Sequence, residues 1–154
     1  MLYACDFAWW KQAEGAPEFG GLKLSQDPSI ILAPQWDIKR VKVVKDDDRL
    51  LLDKPGIVGW GGNSGFHVLN LAVQFGAAKI ILVGYDMTLS HGIHWHGRHV
   101  GLHNPTSRNV DRWRRCIDDV AEAITALGVT VINVSPISAL ANYPKMTLTE
   151  ALAC

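Results

Sequence analysis

The feature of this chain that most constrains its fold is an alternation of helical and strand patterns in its second half. From Ser64 to Phe75, apolar residues recur at helical spacing, and Gly76 follows where a glycine ends a helix. The next segment, AKIILVGYD, is the nearly continuous apolar run of a strand buried on both faces of a parallel sheet. A second helical stripe, over 110–127 and ended by Gly128, precedes another apolar strand, VTVINVS. This order predicts an α/β fold with helices on both faces of a mostly parallel sheet.

The first half of the chain carries shorter patterns. Asp6 precedes a run of helix-forming residues that Gly15 and Pro17 end, which predicts one short helix. Residues 39–45 alternate valine with basic residues, which is typical of a half-exposed strand near a sheet edge. The three aspartates that follow, 46–48, indicate a solvated loop, with a divalent metal site as the alternative. Short strands are also predicted over residues 2–5, 22–25 and 30–33.

The length and charge of the chain narrow its class. Its 154 residues fit a single domain, 1–154, that buries its own core. Lysine and arginine together number 15, as do aspartate and glutamate, so no net charge favours a nucleic acid or an anionic membrane. Three cysteines without a CxxC pair indicate reduced thiols and hence a cytoplasmic protein. No apolar run approaches the roughly 20 residues of a membrane span, and a homo-oligomer stays an open alternative.

The segment GWGGNSG, 59–65, is the first candidate ligand site. Gly61, Gly62 and Gly65 allow a ligand to approach the backbone closely. Asn63 or Ser64 can cap the helix that begins here, and a helix N-terminus presents free N–H groups to an anion. The segment therefore predicts a phosphate site. It is neither a Walker loop nor GxGxxG, and a capped turn without a ligand is the alternative.

Asp86 is the second candidate. It ends the most apolar strand of the chain, two residues after Gly84, at the carboxyl edge where open α/β sheets bind ligands. A carboxylate there can hold a ribose hydroxyl or a metal, or can transfer a proton. The alternative is that Asp86 anchors the following loop by accepting backbone N–H groups.

Five of the six histidines, His91, His94, His96, His99 and His103, lie in one loop. Histidine suits general acid-base chemistry near neutral pH. The spacings lack the helical HExxH pattern or the cysteines of a strong zinc motif, so no tight zinc site is predicted. A surface loop whose histidines pack on two neighbouring tryptophans is the remaining alternative.

The order of these motifs resembles a known family. N-S-G at 63–65 is followed by F-G-A-x-K-I, I-L-V-G-Y-D, the histidine-rich loop and V-I-N-V-S-P-x-S-x-L-A-N-Y. This series is similar to a Rossmann-type group that includes bacterial CMP-sialic-acid-dependent sialyltransferases and the hydroxymethyl-dihydropterin diphosphokinase domain. The resemblance covers roughly residues 61–143, with a looser echo in YACD near the start, and it implies a Rossmann-like three-layer sandwich.

The resemblance also implies roles for individual residues. Asn63 and Ser64 match the nucleotide-contacting turn of the sialyltransferases, and Gly84 to Asp86 match their G-x-D strand end. His103 matches the catalytic histidine, with His99 as the alternative because the loop differs in length. Asp6 matches a polar residue placed against the nucleoside.

Two parts of the family pattern have no counterpart in the chain. The family begins with a strand and a G-x-G-P-S-like loop, so we expect the chain to be short at its N-terminus. The tyrosines that contact phosphate in the transferases have no equivalent in the histidine-rich loop.

Three functions follow as expectations. The first is a nucleotide-utilising transferase, of the sialyltransferase kind, that binds a nucleotide or nucleotide-sugar and needs no metal. The second is a diphosphokinase that uses ATP and Mg²⁺, with Asp86 as a metal ligand. The third is a non-enzymatic binding or assembly module, which exposed Trp9 and Trp10 would favour; these two side chains otherwise pack in a core or stack on a base.

Overall fold

The computed structural model describes residues 1–93, 97 and 104–154. Two short 3₁₀ helices, Pro28–Leu32 and Pro34–Trp36, join the regular elements. In chain order those elements are β1 (Leu2–Tyr3), α1 (Phe7–Gln12), β2 (Lys23–Ser25), β3 (Ile38–Arg40), β4 (Lys42–Val44), β5 (Ile57–Gly59), α2 (Ser64–Gln74), β6 (Lys79–Leu82), α3 (Ser107–Asp119), α4 (Ala121–Ala126), β7 (Thr130–Asn133) and α5 (Leu148–Ala153).

All strand pairs among the described residues are parallel, which confirms an α/β fold with parallel pairing. The ladders run β1-β2-β3, β4-β5 and β6-β7. The backbone links the first two ladders. Val41 N–H donates to Ser25 O, and Lys42 N–H donates to Gly56 O, so the segment 38–44 pairs first with β2 and then with β5.

Helix α2 lies between two apolar clusters. Phe66 and Leu69 pack into the larger cluster, with Leu82 of β6 and the buried face of α3 and α4. Leu71 packs into the smaller cluster on β1, β2 and β5. Because both clusters hold α2, its N-terminus has a fixed position relative to the strands.

Four predicted elements agree with the structure. The strand at 22–25, the helix at 64–75 and the strands in AKIILVGYD and VTVINVS appear as β2, α2, β6 and β7. The strand predicted over 30–33 is wrong. Asp27 caps a 3₁₀ helix there, since its Oδ1 accepts the Ser29 N–H at 2.9 Å and Pro28 fixes the first helical φ angle.

The half-exposed strand predicted over 39–45 is confirmed: Lys39, Arg40 and Lys42 are exposed, Val41 is buried, and the segment forms β3 and β4, each at the end of its ladder. One other expectation about strands is wrong. Strand β6 is not buried on both faces: Ile80 is half-buried, and Val83 just beyond the strand is 64% exposed. In the described part of the chain β6 pairs only with β7, so less of its surface is covered.

The long helix predicted over 110–127 is two helices, α3 and α4, which meet at Val120. Its apolar stripe is nevertheless correct through Val110, Ile117 and Ile124, all buried. None of the described helices has the length and apolar character that crossing a bilayer requires.

Candidate functional site

The glycine turn, residues 61–65, leads from β5 into the first turn of α2. Asn63 is the N-cap: its Oδ1 accepts the Phe66 N–H at 2.9 Å, and its Nδ2 donates to Gly61 O at 3.2 Å. The first N–H groups of a helix have no partner within it. The Asn63 side chain accepts the N–H group of Phe66. The N–H groups of Ser64 and Gly65 have no acceptor among the described residues.

Two positions of this turn accept only glycine. Gly61 and Gly62 have φ of +51° and +79°, a region that favours glycine. A Cβ on Gly62 would also lie 2.5 Å from Arg112 Nη1 and 3.1 Å from Trp113 Nε1. The glycines therefore allow side chains of α3 to cover one side of the turn.

The end of β1 meets the same turn. The Cys5 thiol hydrogen-bonds to Nδ1 of His67, a residue of the first turns of α2, at 3.3 Å. Burial raises the pKa of this thiol, so it is a neutral group rather than a thiolate at pH 7. Asp6, the next residue, is exposed. It is the N-cap residue of α1, but its side chain makes no capping hydrogen bond to that helix.

His67 ties β1 and the turn to α2. Its Nε2 lies 2.6 Å from Trp60 O, and because a carbonyl only accepts, Nε2 carries the proton. Its Nδ1 is then an acceptor for the Tyr3 hydroxyl, 2.8 Å away. His67 is therefore a buried core residue with both ring nitrogens hydrogen-bonded. Two other polar residues of α2, Asn70 and Gln74, bind the backbone of residues 51–59.

Buried His67 makes the stability of the protein depend on pH. Burial lowers its pKa to about 4, below the ordinary value near 6.5, so the unfolded chain takes up the proton first as the pH falls. The stability is complete above about pH 6.5 and is lost progressively down to about pH 4, amounting to about 2 kcal/mol at pH 5. Urea unfolding at pH 7 and pH 5 measures this loss. In His67→Gln, whose amide does not titrate, we expect a markedly smaller loss, and an equal loss in both proteins would contradict the assignment.

The end of β6 reaches the turn through Tyr85. Its hydroxyl donates to Gly65 O at 3.0 Å, and its N–H donates to Ser135 Oγ at 2.8 Å. Burial raises the pKa of Tyr85 to about 12, so the hydroxyl stays a donor at neutral pH. The ends of β1, β5 and β6 therefore meet at the N-terminus of α2.

Asp86 and Gly84 line a cleft of about 370 Å³ next to this turn. Trp113 forms part of its wall and also approaches Gly62, so one indole separates the cleft from the turn. The Asp86 backbone carbonyl accepts the Ala139 N–H at 2.7 Å, which ties the end of β6 to the segment after β7. The volume and the mixture of apolar walls with a few polar groups suit a small-molecule site.

The aspartates 46–48 do more than solvate a loop. Asp47 pairs with Arg49, and Asp48 pairs with Arg112 at 2.6 Å. Asp48 Oδ1 also accepts the Gly61 N–H at 3.0 Å. The predicted solvated loop is confirmed, since Asp46 and Asp48 are exposed, and Asp48 in addition binds the glycine turn.

The predicted catalytic residues His103 and His99 lie outside the described residues, as do His94 and His96. His91 is exposed and lines the Asp86 cleft. Within the described part of the chain, no three His, Cys, Asp or Glu side chains converge as ligands for a metal ion.

Trp9 and Trp10 pack rather than present a binding surface. Trp10 is completely buried, and Trp9 is half-buried with its ring edge-on to Trp10 at 5.1 Å. The predicted packing of Trp9 and Trp10 is therefore confirmed, and the exposed pair that would favour an assembly module is not observed.

The structure thus brings together Cys5, which precedes Asp6, and Gly61, Gly62, Ser64 and Gly65 of the turn. Gly84 and Asp86 lie in the adjoining cleft across Trp113. No family model, curated protein or solved structure matches the chain.

Proposed function

We propose that the chain is a nucleotide-utilising transferase domain of the glycosyltransferase, sialyltransferase-like kind, built as a Rossmann-like three-layer sandwich and working in the cytoplasm. The resemblance of its motif series supports this proposal. The observed parallel pairing is compatible with such a sandwich.

One observation carries the proposal: the ends of three parallel strands converge on the N-terminus of α2, where two N–H groups stay available. Ser64 and Gly65 provide these donors, and the helix dipole adds a partial positive charge. A phosphate of the nucleotide accepts from both. Because the Asn63 side chain already caps the helix by accepting the Phe66 N–H, the turn is preorganised. Ordering it on ligand binding therefore costs little free energy.

The cleft beside Trp113 then takes the nucleoside and the group that is transferred. The indole offers an apolar face to a base or sugar ring, and the carboxylate of Asp86 accepts from a ribose hydroxyl. Asp6, at the exposed end of β1, lies on the same side of the sheet as these strand ends and contacts the nucleoside in this proposal.

Proton transfer falls to His103, with His99 as the alternative. Ile93 and Pro105, which flank the segment that holds them, both line the Asp86 cleft. This supports the assignment, since a general acid must lie within hydrogen-bond reach of the leaving group.

A thermal-shift screen of CMP, UMP, GMP and ATP, each with and without Mg²⁺, tests the proposal. At a ligand concentration about 100 times Kd, binding stabilises the folded state by about 2.7 kcal/mol, which raises Tm by about 5–10 °C. We expect a shift with a pyrimidine nucleotide that does not need Mg²⁺. A shift that requires ATP and Mg²⁺ would favour the diphosphokinase, and a stable oligomer that no nucleotide shifts would favour the assembly module.

A further inference from the structure

The carboxylate of Asp48 lies beside the glycine turn and accepts hydrogen bonds from donors that converge on it. Its Oδ1 accepts the Gly61 N–H at 3.0 Å and Arg112 Nη2 at 2.8 Å, and its Oδ2 accepts Arg112 Nη2 at 2.6 Å. A backbone N–H and a guanidinium aimed at one anionic group form an anion site in their own right.

These donors keep their places without Asp48. The Arg112 guanidinium lies over the Trp60 ring, 4.3 Å from its centroid, and this cation-π contact holds it beside the turn. Gly61 is fixed by the turn itself, because a Cβ there would lie 2.0 Å from the Phe66 ring.

Asp48 itself is held less firmly than its partners. Its side chain is 43% exposed, and the contacts named above are all that bind it in the described structure. The backbone around it is anchored separately, since the Trp60 N–H donates to Asp47 O at 2.7 Å. A rotation of the Asp48 side chain into solvent therefore frees the donors without moving the loop.

We propose that Gly61 and Arg112 form a second phosphate subsite, which Asp48 fills in the absence of ligand and which takes the neighbouring phosphate of a nucleoside diphosphate. The inference rests on the proposed function, because Ser64 and Gly65 hold the first phosphate. Only two residues, Gly62 and Asn63, lie between Gly61 and Ser64 in the sequence, so the two subsites belong to the same turn. Phosphate and carboxylate oxygens use the same donors at the same lengths, so the incoming phosphate replaces Asp48.

The Asp48 carboxylate and the second phosphate of a ligand compete for the same donors, so this competition affects which ligand binds. While Asp48 is bound, a nucleoside monophosphate uses only the α2 N-terminus, and a diphosphate must first displace the carboxylate. The affinity for the diphosphate is thus lowered by the fraction of molecules in which Asp48 occupies the site.

Titration calorimetry with inorganic pyrophosphate tests the subsite without reference to a base. We expect Asp48→Asn to bind pyrophosphate roughly 5- to 10-fold more tightly than the original chain, because the competing charge is gone. The matched control is Asp47→Asn, which removes the same charge from the same loop but outside the subsite, and should leave the affinity unchanged. Arg112→Ala should weaken binding at least roughly 10-fold, and Arg112→Lys should recover part of the loss, because lysine keeps the charge but not the fork.

Each other outcome overturns the subsite. Equal or weaker binding by Asp48→Asn shows that Asp48 does not compete. Equal gains in Asp47→Asn and Asp48→Asn show a general charge effect. If Ser64→Trp abolishes binding while the Asp48 and Arg112 variants match the original chain, the phosphate turn stands and only the subsite fails. If no variant binds pyrophosphate while a nucleotide still raises Tm in the thermal-shift screen, the subsite fails alone. If no nucleotide raises Tm either, the proposed function fails with it.

Discussion

Ser64→Trp is expected to abolish nucleotide binding while leaving the protein folded. Ser64 is the first residue of α2 and is half-buried, so an indole there covers the N–H groups that face the phosphate. Two hydrogen bonds to a charged group contribute about 1.5 kcal/mol or more each, so their loss weakens binding by roughly 100-fold or more. Titration calorimetry with the nucleotide found in the screen measures the loss.

Two control variants separate this effect from a general disturbance. Ser64→Ala removes the hydroxyl but keeps the N–H, and we expect an affinity within a few-fold of the original. Leu148→Trp places the same ring at the first residue of α5, an exposed position. That helix contacts Lys79 at the start of β6, the opposite end of the strand from the candidate site. Unchanged affinity in Ser64→Trp would refute the phosphate turn.

The elements that the sequence predicted well are those fixed by local patterns. The spacing of apolar residues predicts α2, and the pair Asn63 and Ser64 predicts a cap at its start, because both depend on residues within one or two turns. The burial of β6 was predicted less well. It depends on which strands are neighbours, and this is a property of the whole chain. At 30–33 the cap supplied by Asp27 outweighed the strand pattern, as short polar side chains often do before a helix.

The candidate site also contains residues that local sequence patterns predicted and contacts between distant residues that they did not. The glycine turn and Asp86 were predicted because they follow strands directly in the sequence. The Asp48 and Arg112 pair was not, since 64 residues separate its members. The link from His67 to Tyr3, also across 64 residues, was missed for the same reason. Nothing in the sequence near His67 identifies Tyr3 as its partner.

These distant contacts explain why the turn suits ligand binding. Tyr3 and His67 fix it from the side of β1, Tyr85 fixes it from β6, and Asp48 fixes it from the loop before β5. A site held from three elements keeps its donors in place before the ligand arrives, which lowers the entropic cost of binding. Of these three supports, only Asp48 uses a donor that a phosphate would need.

The second large effect is expected from His103→Ala, which should remove turnover and leave nucleotide affinity within a few-fold. A turn that holds phosphate contributes to binding of the ground state, whereas a proton donor acts mainly in the transition state. Loss of a general acid-base group lowers the rate by roughly 100-fold or more. Hydrolysis of a CMP-linked sugar donor gives the rate, and calorimetry on the same folded variant gives the affinity.

His99→Ala is the matched control, because it removes another histidine from the same loop. Full activity in His99→Ala together with the loss in His103→Ala assigns proton transfer to His103. The reverse result moves the role to His99, the alternative that the difference in loop length leaves open. Full activity in both variants would end the assignment of a catalytic histidine, and the transfer step would then have to depend on Asp86 or on the leaving group alone. A loss of affinity as large as the loss of rate would instead place the histidine in ground-state binding.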